Sequence, residues 1–405
     1  MRGAIKLTTV LAAASLVLAG SEIARERQDP VSKLDRKLGA RKASLEYSDG
    51  WGYLRSMLKQ LDINTDSQIL VFSKTSFQQD LISAAKPRAL YFNDDIVIGA
   101  VQDASVFEVV SLDPTEGLQF FSLDQKKTGK PRFKAERGSC TFCHGPINKW
   151  AQGVMIATVF PAPDGKPTFS PGELFHLTDH RSPFEDRWGG YYVTGTSGGI
   201  KHRGNAIAPD PSRPMELDTT NSSNVTSLTG RFDIAKYLEP TSDIVALMTL
   251  EHQTMMTNIL TSLGAQFRAN ADFPLPAEQL DAEVDKLVKF MLFVDETKLI
   301  SPIKGVSTFT QTFAQRGPRD RKGRSLRDFD LQTRMFRYPL SYMIYSRGFD
   351  GLSQDARDRV YRRLYEVLTG KITSGGYDQL DAERRREILE ILIETKPGLP
   401  AYFKL

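Results

Sequence analysis

Both cysteines of the chain lie in one pentapeptide, Cys140-Thr141-Phe142-Cys143-His144. Two thiols separated by two residues, with an imidazole directly after, match the C-x-x-C-H pattern of haem c attachment. The spacing has a chemical reason. On one helical turn each thiol can reach one haem vinyl group and form a thioether, and the next residue points its imidazole at the iron. Two cysteines placed at random fall at this separation about once in 200 arrangements, so chance is a poor account of it. On this reading Cys140 and Cys143 anchor one covalent haem c, and His144 is its proximal axial ligand.

Other uses of the motif fit less well. A redox-active C-x-x-C needs no histidine after it and belongs in a thioredoxin-like β-α-β setting. A structural zinc needs four ligands, and the chain has no further cysteine to offer. A disulfide between these two would close a very small, strained loop.

The group on the other side of the iron decides between passing electrons and binding oxygen species. His252 is the distal candidate. On a helix begun by Asp243 it shares one face with Met248, Met255 and Met256. Met215, in the Pro-rich loop from Pro209 to Leu217, is the second candidate, and an open iron is the third. His176 and His180 form an H-x-x-x-H pair, but Pro171, Asp179 and Pro183 speak against the long helix that zinc binding there would need. His202, in a basic glycine-flanked loop, reads as a solvated loop residue that could otherwise meet haem carboxylates. Six basic residues between Arg316 and Arg327, against the single acid Asp320, could dock an acidic redox partner.

The elements that must position these residues change character along the chain. Before the motif, short runs rich in Val, Ile and Phe predict strands over 68–73, 89–92, 96–101, 106–112 and 118–123, an antiparallel meander. One short helix precedes them around 52–61. Further strands are expected over 154–160 and 191–194. From Asp243 onward, apolar positions three and four apart predict helices to about Leu263 (closed by Gly264), over 277–294, over 353–369 and over 381–395. The expected class is α+β: a β-rich N-terminal half, the c-type haem at its edge, and a helical C-terminal half.

At the N-terminus, Arg2 and Lys6 precede an apolar run from Leu7 to Leu18 that ends in Ala19-Gly20. This is the layout of a secretory signal peptide, and the run is short for a membrane span. The expected segments are therefore 1–20, a signal peptide; 21–135, a β-rich region; and 136–405, the haem-binding region with its helical half. The protein is expected in the periplasm or an equivalent exported space, with no transmembrane span in the mature chain. Formal net charge is only +4, two units of which leave with the signal peptide, so binding to nucleic acid through a basic surface is not expected.

Over residues 138–146 the chain resembles the c-type cytochromes. The phrases Tyr91-Phe92-Asn93-Asp94-Asp95, Arg187-Trp188-Gly189-Gly190-Tyr191-Tyr192 and Leu250-Glu251-His252-Gln253 resemble a group of large, uncharacterised bacterial mono-haem proteins with a cytochrome-like motif. That likeness runs through most of the chain and brings no established activity with it. The expected function is electron transfer by an exported mono-haem c-type cytochrome, a carrier or the redox subunit of an oxidoreductase, with a redox partner protein. The alternative is a haem-dependent peroxidase- or oxygenase-like enzyme whose open distal site is lined by Trp188, Tyr191 or His252. Bacterial di-haem peroxidases carry two C-x-x-C-H motifs, and this chain carries one.

Overall fold

The computed structural model describes residues 26–138, 140, 143–148, 150–168, 176–210, 212–213 and 215–404. The expected signal peptide at 1–20, and Thr141 and Phe142 of the motif, lie outside the described residues.

The apolar runs before the motif form β1 (Ile69–Val71), β2 (Arg88–Phe92), β3 (Ile96–Ala100), β4 (Val106–Asp113) and β5 (Gly117–Asp124). They pair antiparallel in chain order, as the meander requires, and β6 (Lys134–Ala135) adds the last strand beside β5. Small two-stranded ladders follow: β7 (Pro146–Asn148) with β8 (Ala151–Gln152), β9 (Ala157–Thr158) with β12 (His176–Leu177), and β10 (Phe160–Pro161) with β11 (Pro167–Thr168). The chain then returns to the main sheet as β13 (Tyr191–Tyr192), antiparallel to β1. The seven-stranded sheet thus takes an edge strand from beyond the expected 135/136 boundary.

The run 154–160, expected as one strand, is broken at Val159. Its N–H bonds the Gly189 carbonyl at 3.1 Å, an approach so close that a Cβ on Gly189 would lie 2.0 Å from the Val159 oxygen.

Alternation along β1 and β2 sends side chains to both faces of the sheet. Leu70, Ala89 and Tyr91 pack with Val31, Leu34 and Met57 from helices Pro30–Gly39 and Leu54–Gln60. Ile69, Val71, Leu90 and Phe92 pack with the helical half on the opposite face. The sheet is a middle layer, so both of its faces are apolar.

The centre of the helical half is Ile244–Ala269, with 21 of its 26 residues buried. Asp243 caps it: Oδ1 accepts from the N–H groups of Val245 and Ala246 at 2.8 and 3.3 Å. Gly264 does not end this helix as expected. It sits where Leu352 comes close, within 3.4 Å of where a Cβ would be, and buried Gln266 and Phe267 carry the helix onward. Helices Ala277–Met291, Gln354–Leu368 and Ala382–Thr395 match the expected segments to within three residues at each end. Among the described residues no helix is long and apolar enough to cross a membrane.

Candidate functional site

The motif follows β6, the strand that completes the sheet edge. Glu136 N–H still bonds the Phe120 carbonyl at 2.8 Å, and the chain then leaves the sheet. The His144 N–H bonds the Cys140 carbonyl at 3.0 Å, a spacing of four residues that belongs to one helical turn. Neither Cys140 nor Cys143 is in a disulfide. Cys140 is half-buried against the cluster of Leu112, Leu118 and Phe120, which Val154 also joins, and Cys143 is exposed.

His144 is oriented from two sides. Its ring packs on Phe120, centroid to centroid 4.9 Å. Its Nδ1 lies 3.0 Å from the Gly153 carbonyl oxygen, and the Gly153 N–H returns to the His144 carbonyl at 3.3 Å. With Nδ1–H donating to a carbonyl, the lone pair of the neutral ring resides on Nε2, the arrangement that metal-ligating histidines use. Burial holds the His144 pKa below its ordinary value, partly offset by the Gly153 bond, so the ring favours the neutral form a metal requires.

Beside the motif opens a cleft of about 410 Å³. One wall is β5, including Phe120, and the opposite wall is the central helix, through Thr261, Ala265 and Arg268. Trp150 and Gln152 also line it. Cys140, Cys143 and His144 do not line it, although Phe120, against which the His144 ring packs, does.

His252 stands elsewhere. It is fully buried, with Nδ1 3.0 Å from His180 Nδ1 and Nε2 2.8 Å from Ser341 Oγ. Phe290 and Phe293 stack against its ring. Burial lowers the pKa of both imidazoles, that of His252 to about 3, so both are neutral. The geometry turns against His252 as the distal ligand, because an iron at either nitrogen would have to break one of two buried hydrogen bonds. Met215, the other candidate, is 49 % exposed on its loop.

The remaining expectations sort as follows. His176 lies on β12 opposite Thr158 while His180 bonds His252, and no three metal-ligating side chains cluster among the described residues. His202, expected in a solvated loop, is buried edge-on against Trp188. Trp188 and Tyr191 belong to the main core and do not line the cleft. The basic run is neutralised internally: Arg316 pairs with Asp62, Arg319 with Asp328, Arg321 with Glu394, Lys322 with Glu390, Arg324 with Asp320 and Glu390, and Arg327 with Asp94. It offers no cluster of unpaired cations to an acidic partner.

Sequence reasoning missed Phe120, Gly153 and Asn258, whose side-chain amide bonds both main-chain groups of Val154 beside Gly153. Only Asn258 left a trace, as a polar residue inside an apolar helix, and that trace names no partner. Comparison with known proteins returned nothing: no family model, curated protein or solved structure matches the chain.

Proposed function

We propose that this chain is an exported mono-haem c-type cytochrome with electron transfer activity, its haem held covalently by Cys140 and Cys143 and ligated by His144. One observation carries the reading. His144, next to two cysteines that form no disulfide, already makes the Nδ1-to-carbonyl bond that leaves Nε2 as the donor atom. A haem bound there supplies one-electron exchange between ferric and ferrous iron. The chain's own residues orient the imidazole through Gly153 and Phe120, and exclude water from the Cys140 side through Leu112 and Leu118. Location outside the cytoplasm is part of this proposal and rests on the N-terminal layout, as does a redox partner protein on the expected activity.

The second reading, a haem-dependent peroxidase- or oxygenase-like enzyme with an open iron site, is favoured by the state of His252, whose ring nitrogens are already engaged by His180 and Ser341. Spectra of the oxidised and reduced protein, with and without carbon monoxide, test both. A low-spin pair indifferent to carbon monoxide supports the carrier, and high-spin iron that binds it supports the enzyme. A chain co-expressed with haem c maturation proteins that carries no covalent haem overturns both.

A further inference from the structure

We propose that the cleft between β5 and the central helix receives the C-terminal end of an extended peptide, which pairs with Leu118 as an added antiparallel strand and sets its terminal carboxylate on Arg268. The inference stands apart from the haem reading and goes beyond it, naming an interaction surface and the chemistry of its partner.

The cleft lies along an unfinished sheet edge. β5 pairs with β4 along its whole length, from Gly117 opposite Asp113 to Asp124 opposite Val106, whereas β6 covers only Phe121 and Ser122 on the other side. Along an antiparallel strand the main-chain groups of successive residues point to alternate sides. The Phe120 carbonyl accepts from Glu136 N–H, away from β4, so Leu118, two residues earlier, also turns its N–H and C=O outward. Past Glu136 the chain leaves the sheet, and no described residue bonds either Leu118 group. Leu118 is only 8 % exposed and lines the cleft, so one donor and one acceptor stand at its wall without a protein partner. Such groups are costly to leave unpaired, and an extended chain laid beside them supplies both bonds.

The charges fix the direction of that chain. Arg268 stands at the Gly117 end, beside the β4–β5 turn, and forms no ion pair with a described residue although burial disfavours its charge. Arg27 is at the same end and meets Glu116 at 3.6 Å. A carboxylate placed there takes two parallel N–H bonds from the Arg268 guanidinium. At the other end, beside Phe120, the carboxylate of Glu136 is held by Ser122 Oγ at 2.7 Å and Lys134 Nζ at 3.4 Å and repels a second one. A chain that ends at Arg268 therefore runs from Phe120 towards Gly117, opposite to β5. This is the antiparallel sense, in which a single residue exchanges both bonds with Leu118. Its side chain points to the same face as that of Leu118, towards the central helix. There Thr261 and Ala265, on one face of the helix, are small. The Thr261 hydroxyl is spent on the carbonyls of Thr257 and Asn258 at 2.9 and 3.1 Å, so this wall suits an apolar side chain.

The test uses the full chain as produced in cells and a panel of short fluorescein-labelled peptides of alternating threonine and valine. Their last residue is varied over the apolar amino acids, and each is made with a free C-terminal carboxylate and as the amide. Fluorescence anisotropy reads the dissociation constant. The best free-acid probe should bind about tenfold or more tightly than its amide, the worth of a charge-assisted bond. Arg268→Gln should remove that preference and Arg268→Lys should restore part of it. Arg359→Gln, which breaks surface pairs with Asp281 and Asp355, should bind both forms as wild type does. N-methylation of the probe should abolish binding at the residue that pairs with Leu118 and spare the residues on either side, and the Leu118 amide should exchange more slowly in the complex. The inference is overturned if no member of the panel binds below about 1 mM. It is equally overturned by an amide that binds as well as the acid, or by N-methylation tolerated at every position. The probe comparisons use the unaltered protein, so they decide even where a variant does not fold, and none of them depends on bound haem.

Discussion

The side-chain amide of Asn258 pairs with both main-chain groups of Val154: Oδ1 accepts from the Val154 N–H at 2.9 Å, and Nδ2 donates to its carbonyl at 2.7 Å. The amide imitates a neighbouring strand. Val154 follows Gly153, whose carbonyl meets His144 Nδ1. The central helix therefore sets the direction of the motif imidazole through three residues, although no atom of the helix need touch that ring.

Replacing Asn258 with Ala should leave both Val154 groups without partners and cost about 2 kcal/mol. Urea unfolding of the two proteins measures it. Asn258→Asp, which keeps an acceptor and loses the donor, should fall between them.

The double replacement of Cys140 and Cys143 by Ala should abolish covalent haem on denaturing gels. Each single replacement leaves one thioether at most and should move the reduced α-band to longer wavelength in alkaline pyridine. Haem that remains covalently attached in the double variant contradicts the assignment of the motif.

Stability should fall as the solution is acidified below about pH 6.5. His202 and His252 have folded pKa values lowered to about 4 and about 3 by burial, and that of His180 is lowered in the same direction. In this range the unfolded chain binds protons that the folded chain refuses, so the stability present above the unfolded pKa is lost as pH falls towards the folded one. The loss should reach roughly 1–2 kcal/mol per histidine by pH 5. Urea midpoints at pH 7.5 and 5.5 test this, and His202→Asn should flatten the slope.

Asp243 should be among the least replaceable residues outside the motif. Besides capping the central helix, its Oδ2 accepts from Val306 N–H, Ser307 N–H and Ser307 Oγ at 2.8, 2.8 and 2.9 Å. Asp243→Ala orphans donors in two segments at once and should cost 2 kcal/mol or more, about 1 of it from the cap. Asp243→Asn should recover part of that loss in thermal unfolding.

The buried pair of Arg187 and Glu251, 3.0 Å apart, gives a different signature. Arg187→Met alone should destabilise by about 3–5 kcal/mol, because it strands a buried carboxylate. The double variant Arg187→Met/Glu251→Met should be closer to wild type than the single one. A double-mutant cycle by urea unfolding reads the difference.

The local part of this protein is written in the chain. Alternating apolar runs specified β1 to β5 in their antiparallel order, since neighbours along the sequence pair across tight turns such as Asn93-Asp94-Asp95. Asp243 marked a helix start because a cap satisfies amides only two or three residues away, and in the structure Ser353 and Asp381 cap their helices in the same way. The bond from His144 N–H to the Cys140 carbonyl is of the same local kind, spanning four residues. What needed distant partners was not legible. His252 read as a ligand because its own helix shows only Met neighbours, whereas the groups that hold it, His180 and Ser341, lie 72 and 89 residues away. The basic run read as an open cationic surface because Asp62, Asp94, Glu390 and Glu394 come to it from elsewhere in the chain. Gly264 read as a helix end because the packing of Leu352 against it is invisible in sequence. Spacing along the chain determines contacts within a turn or between adjacent strands. Which imidazole is closed off, which charge is cancelled and where a cleft opens depend on long-range packing, which only the tertiary structure decides.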